Sequence, residues 1–117
     1  MPDRRLRKKE IVRSKTDIGR LLSKGRRGAE GALRYCFWEG NGLEYNRILV
    51  AVPKKMFKRA VKRNLMKRRI KEAYRLSKDL LEGGGRDVMF IWASKETMDF
   101  ASTQALVSQI LATISSL

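Results

Sequence analysis

Lys54-Lys55-Met56-Phe57-Lys58-Arg59-Ala60-Val61-Lys62-Arg63-Asn64-Leu65-Met66-Lys67-Arg68-Arg69-Ile70-Lys71-Glu72-Ala73-Tyr74-Arg75 decides the fold and points to the partner. This stretch holds eleven Lys/Arg residues against one acid, Glu72. On a helical wheel Met66, Ile70, Ala73, Tyr74 and Leu81 gather on one side, while Asn64, Arg68, Lys71 and Arg75 gather on the other. The pattern predicts a helix over about residues 60–81, stopped by Gly83-Gly84-Gly85, that lays an apolar stripe on a sheet and turns a cationic ridge outward. Charge of one sign at that density needs a polyanion to meet it, and phosphate backbones are the commonest. Binding through such a ridge falls steeply with salt: six to ten phosphate contacts correspond to roughly a 10³- to 10⁵-fold loss between 50 and 200 mM.

Outward from this helix the rest of the chain falls into place. Ile48-Leu49-Val50-Ala51-Val52 is a continuous apolar run ended by Pro53, hence a buried strand. Leu33 to Trp38 alternates as a strand, with Leu33, Tyr35 and Phe37 on one face and Arg34, Cys36 and Trp38 on the other. Across Gly40-Asn41-Gly42 these two are expected to pair as an antiparallel hairpin. Arg86 to Ala93 predicts a central strand. Asp99 opens a last helix whose apolar face is Leu106, Val107, Ile110, Leu111, Ile114 and Leu117. Near the start, Ser14-Lys15-Thr16-Asp17 fits a capping box for a short helix at about 15–24 ended by Lys24-Gly25. Residues 1–13 read as a flexible basic arm, and Arg26 to Gly31 as a loop. The order α-β-β-α-β-α, with room for one extra short strand, is an α+β two-layer sandwich in one domain spanning 1–117.

Composition narrows the chemistry. The chain has 117 residues, a formal net charge of +15 and no histidine. Residues 1–75 hold 24 of the Lys/Arg and 7 of the acids, whereas residues 76–117 hold 3 and 5, so the positive charge belongs to particular elements. Without histidine, the usual neutral-pH general base and metal ligand are missing. The twelve acids are scattered and form no pair suited to two-metal phosphodiester cleavage, so none of the residues is expected to be catalytic. Cys36, the lone cysteine, reads as a small buried hydrophobe. No apolar run reaches the ~18 residues of a membrane span, and the default location is cytoplasmic. Tyr35 and Phe37, with Ile18 and Leu22 of the first helix, either border a groove where bases stack or belong to the core. Asn64 either bonds a sugar, base edge or phosphate, or satisfies backbone groups near the helix start.

Ala51-Val52-Pro53-Lys54-Lys55 followed by Ala60-Val61-Lys62-Arg63-Asn64-Leu65-Met66-Lys67-Arg68 resembles the signature of the bacterial ribonuclease P protein subunit. That family has a strand ending in a Lys-Lys turn, then a helix with an Arg-Asn-Arg segment and a Lys-Arg pair three residues past the Asn. The resemblance covers most of the chain. It departs at Leu65, which stands where the third position is arginine, with Lys62 or Arg69 as the available substitutes. It departs also at Lys58-Arg59, in place of a glycine-containing turn, and at Ile18 and Leu22, where relatives often carry phenylalanine. The resemblance implies a protein that binds the catalytic RNA subunit through Lys54, Lys55, Lys62, Arg63, Asn64, Lys67, Arg68 and Lys71. It implies contact with the 5′ leader of precursor tRNA at a groove bordered by Ile18, Leu22, Tyr35 and Phe37. Cleavage would belong to the RNA and its Mg²⁺, with no cofactor on the protein alone. It further implies a left-handed βαβ crossover. The competing readings are a ribosomal or other structural RNA-binding protein and, lower, a DNA-binding helix-turn-helix protein, which would need a short helix and turn before the basic helix.

Overall fold

A computed structural model of the chain describes residues 6–117. Four strands, β1 (Arg26–Glu30), β2 (Leu33–Glu39), β3 (Arg47–Ala51) and β4 (Arg86–Trp92), form one sheet in the order β1-β2-β4-β3. Three helices accompany it: α1 (Lys15–Lys24), α2 (Ala60–Ser77) and α3 (Phe100–Ser115). β4 is antiparallel to β2 and parallel to β3, so β3, α2 and β4 make a parallel βαβ unit.

The sheet sorts its residues by strand alternation. Leu33 and Phe37 of β2, Ile48 of β3, and Val88, Phe90 and Trp92 of β4 point to one face. There they meet Met66, Ile70, Ala73 and Tyr74 of α2 and Val107, Ile110, Leu111 and Ile114 of α3, all buried in one core cluster. The apolar stripe expected on α2 is thus the inner layer of the sandwich. α2 gives way to a short 3-10 turn, Lys78–Leu80, and Leu81 closes the core beneath it. Asp99 caps α3, its carboxylate accepting from the Ser102 N–H at 2.7 Å. Leu117, expected on the same apolar face, lies past the helix end and is 58% exposed.

α1 occupies the opposite face. Ser14 caps it, the hydroxyl accepting from the Asp17 N–H at 3.4 Å. Leu21 is buried against β2, where the Cys36 thiol donates to the Leu21 carbonyl at 3.0 Å. Asp17, one turn earlier, reaches Arg47 of β3 at 3.3 Å, and Arg47 is clamped on Asp87 of β4 at 2.7 Å. Gly25 ends the helix for a reason other than a left-handed cap, since its φ is −70°. A Cβ there would sit 2.3 Å from the Leu21 carbonyl and 2.5 Å from Cys36 Sγ, so only glycine lets the helix end lie this close to the sheet.

Three expectations are corrected. Arg26 to Glu30 is a strand, joined to β2 through a turn with Gly31 at φ +56°. Its sequence, Arg-Arg-Gly-Ala-Glu, has no β-branched or aromatic residue, so its pairing is dictated by the turn and by β2. β2 and β3 do not form a hairpin, because β4 lies between them. β4, with Val88, Phe90 and Trp92 buried, takes an interior position, and the apolar β3 lies at the edge. The arm is not flexible over its described part: Ile11 bridges Ile48, the Val12 N–H donates to the Ile48 carbonyl at 2.9 Å, and Val12 is 1% exposed. Glu10 pairs with Lys78 at 3.2 Å and Lys9 stands over the Tyr45 ring. Residues 1–5 of the expected arm lie outside the described residues.

Candidate nucleic-acid interface

Two surfaces take shape, one on each side of the molecule. The first is the outward face of α2. Val61, Asn64, Lys67, Arg68 and Lys71 line an open groove of about 500 Å³ along the helix. Their spacing is that of one helical stripe. Among the described residues, none gives the side chains of Asn64, Lys67, Arg68 or Lys71 a hydrogen bond or ion pair. Lys62 is exposed beside the groove, and Lys54 and Lys55 stand exposed in the turn after β3. Asn64 does not satisfy backbone at the helix start; its amide is presented to solvent.

The remaining cations of this stretch are divided differently from the sequence expectation. Arg63 turns back, its Nη1 donating to the carbonyls of Phe57 at 2.7 Å and Lys58 at 3.0 Å. It therefore holds the loop that carries Lys58 and Arg59 against the start of α2. Arg69 Nη1 donates to the Met98 carbonyl at 2.6 Å and ties α2 to the approach of α3. Arg75 is engaged by Glu72, a pair that pushes the Glu72 carboxyl below the usual carboxylate range. Three guanidiniums thus serve the fold, and wheel geometry alone could not separate them from the rest.

The second surface is the sheet face beneath α1. Leu49 and Ala51 of β3 with Met89 and Ile91 of β4 are half-buried there, and Arg34 of β2 is exposed at their side. Cys36 forms the floor under α1; burial pushes its thiol up, against the lowering pull of Arg27. On α1, Asp17 and the pair Ile18 and Leu22 flank Leu21 on opposite sides. The Asp17 side faces Arg47, and Ile18 and Leu22 lie on the other side of the helix. Ile18 is half-buried and Leu22 is 39% exposed.

Tyr35 and Phe37 do not border this trough. Phe37 is 2% exposed in the main core, and Tyr35 packs against that core, its ring 6.4 Å from that of Phe37. The Tyr35 ring lies across Gly28 of β1, where a Cβ would be 2.3 Å from its hydroxyl. The sequence carried aromatic residues on both faces of β2, and alternation does not say which face a helix leaves open. The trough residues Arg34, Leu49, Met89 and Ile91 were missed for the same reason; the signal available was that α1 has an apolar edge wider than Leu21 alone.

Among the described residues no group of three His, Cys, Asp or Glu side chains is placed to hold a metal ion, and no helix is long and apolar enough to cross a membrane.

Comparison with known proteins decides the family. The family model for ribonuclease P matches residues 6–115. The chain belongs to the ribonuclease P protein family. The ribonuclease P protein component of Borreliella burgdorferi strain ZS7 is 35% identical over 109 residues, covering 91% of each chain. That of Porphyromonas gingivalis strain W83 is 32% identical over 114 residues, covering 91% of this chain and 83% of its own. The ribonuclease P protein of Thermotoga maritima superposes with a TM-score of 0.77 at 24% identity, over 89% of this chain and 96% of its own. The Staphylococcus aureus protein gives 0.77 at 22%, over 90% and 94%. These two likenesses establish a shared fold. The family places the chain as the protein component of an endoribonuclease that works with an RNA subunit in maturing tRNA 5′ ends. A ribosomal or purely structural role is not favoured.

Proposed function

We propose that this ribonuclease P protein grips the catalytic RNA with the outer face of α2 and guides the 5′ leader of precursor tRNA along the trough under α1. The observation that carries the reading is the set of unengaged side chains in one α2 groove: Asn64, Lys67, Arg68 and Lys71, extended by Lys62, Lys54 and Lys55. Lys acts as a point charge on phosphate, whereas Arg68 is free to chelate two phosphate oxygens. Arg63 contributes by fixing the loop next to them. In the trough, Ile18, Leu22, Leu49, Met89 and Ile91 offer apolar surface to unpaired bases, and Arg34 offers charge to the strand's backbone.

In this reading the Mg²⁺ of the complex is held by the RNA; among the described residues no group of three His, Cys, Asp or Glu is placed to hold a metal ion. What the protein adds is cation density between two RNAs that repel each other, which lowers the Mg²⁺ needed for assembly and substrate capture. This work belongs in the cytoplasm, where precursor tRNA is made. Reconstitution with a ribonuclease P RNA at low Mg²⁺ tests it: leader removal is expected only when the protein is present, and equal rates with and without it would sink the proposal. Arg68→Ala is expected to flatten the dependence of log affinity on log salt by about one unit.

A further inference from the structure

The groove on α2 is not uniformly cationic. Its first-turn end is made by Val61 and Asn64, its far end by Lys67, Arg68 and Lys71. Val61 is 76% exposed, the most exposed large hydrophobic side chain among the described residues. Nothing in the fold asks for it. It does not belong to the core cluster, and valine is a poorer helix former than alanine at a solvent-facing position. Asn64, one turn on, is likewise a modest helix former, and no described residue bonds its amide.

We infer that the Val61–Asn64 end of the groove is where the protein meets the sugar and base of one nucleotide of the RNA subunit, while phosphates sit on Lys67, Arg68 and Lys71. This rests on the reading of α2 as the RNA-binding face and adds a division of labour within it. The occupant is set by charge complementarity: the same groove that presents Val61 is lined by three cations, so an apolar protein partner would have to bury them unpaired. A nucleotide suits both ends, since its phosphates are anionic and one face of its ribose and base is apolar. The Asn64 amide has a donor and an acceptor, as a ribose 2′-hydroxyl or a base edge requires.

Phosphate contacts and apolar contacts differ in their response to salt, and this makes the inference testable. Only the former release counterions, so they set the slope of log affinity against log salt; an apolar contact shifts the line without tilting it. The full-length protein is titrated with a ribonuclease P RNA at several salt concentrations. Val61→Ala is expected to weaken binding by about 15-fold at every salt concentration, as for loss of two buried methyl groups. Its slope stays that of the parent, and its melting temperature is not lowered. Val61→Ile is expected to bind as the parent does, and Lys67→Ala to flatten the slope by about one unit. Parent-like binding by Val61→Ala alongside a flattened slope for Lys67→Ala overturns the inference and leaves the α2 reading standing. If neither variant changes binding, both fall. A Val61→Ala loss accompanied by a lowered melting temperature also overturns the inference, because the side chain then serves the fold.

Discussion

Asp87 is 3% exposed and accepts from Arg47 Nη2 at 2.7 Å, Arg47 Nε at 2.9 Å and Asn41 Nδ2 at 2.9 Å. These bonds raise the Arg47 pKa, the carboxylate of Asp87 contributing most and that of Asp17 adding to it. Removing one member of such a pair strands the other, so Asp87→Ala is expected to cost about 3–5 kcal/mol in urea denaturation. Asp17→Ala should cost far less, because its carboxylate is partly solvated and its contact is longer, at 3.3 Å. The contrast between Arg47 and Arg68 marks the limit of reading residues from sequence. Both are arginines, yet Arg47 is consumed by acids 30 and 40 positions away. Local composition holds no trace of such partners. What it did hold was the stripe at Asn64, Arg68 and Lys71, because helical periodicity is a local property. Arg63 and Arg69, whose partners are carbonyls of loops outside α2, fell outside that reach.

Among the elements, α1 is the one whose placement the proposed leader contact depends on. Its register on the sheet depends on Gly25, and Gly25→Ala must push the helix end away from both the Leu21 carbonyl and the Cys36 thiol. Overpacking of this kind costs about 1–3 kcal/mol. The expected result is a lower melting temperature together with weaker binding of leader-bearing substrate, while affinity for the RNA subunit alone is kept, since α2 is on the other face. Equal losses in both assays would show that α1 does not wall a separate surface. The elements themselves were largely legible: three helices, with α1 and α3 capped by Ser14 and Asp99, and strands β2, β3 and β4 near the expected bounds. Their pairing was not. A strand's neighbours are chosen by how much apolar surface each can bury, which ranks strands against one another across the chain. β1 was invisible because it contributes hydrogen bonds and two arginines, but hardly any apolar side chain.

At the scale of the whole molecule, pH and anions are the levers. Burial holds the Tyr74 phenol well above its ordinary value, with Glu10 adding to the effect, and pushes the Cys36 thiol up as well. Both are neutral in the folded state and ionise earlier when unfolded, at about 8.5 for a thiol and about 10 for a phenol. The unfolded chain therefore binds fewer protons above that range, and stability falls as pH rises through it. Urea midpoints at pH 8 and 10.5 should show the fall, and Tyr74→Phe should flatten its upper part. With a net charge of +15 the free protein repels itself, so sulfate at constant ionic strength is expected to raise the melting temperature. A melting temperature indifferent to sulfate would mean that no anion site is preformed.

α2 and α3 pack side by side on one face of the sheet, and α3 carries no charged side chain at all. The cationic ridge of α2 therefore lies beside a helix without charge. In the field of a polyanion such an asymmetry exerts a torque as well as a pull. If α2 is the face that meets the RNA, steering of this kind predicts that added salt slows capture far more than it hastens release.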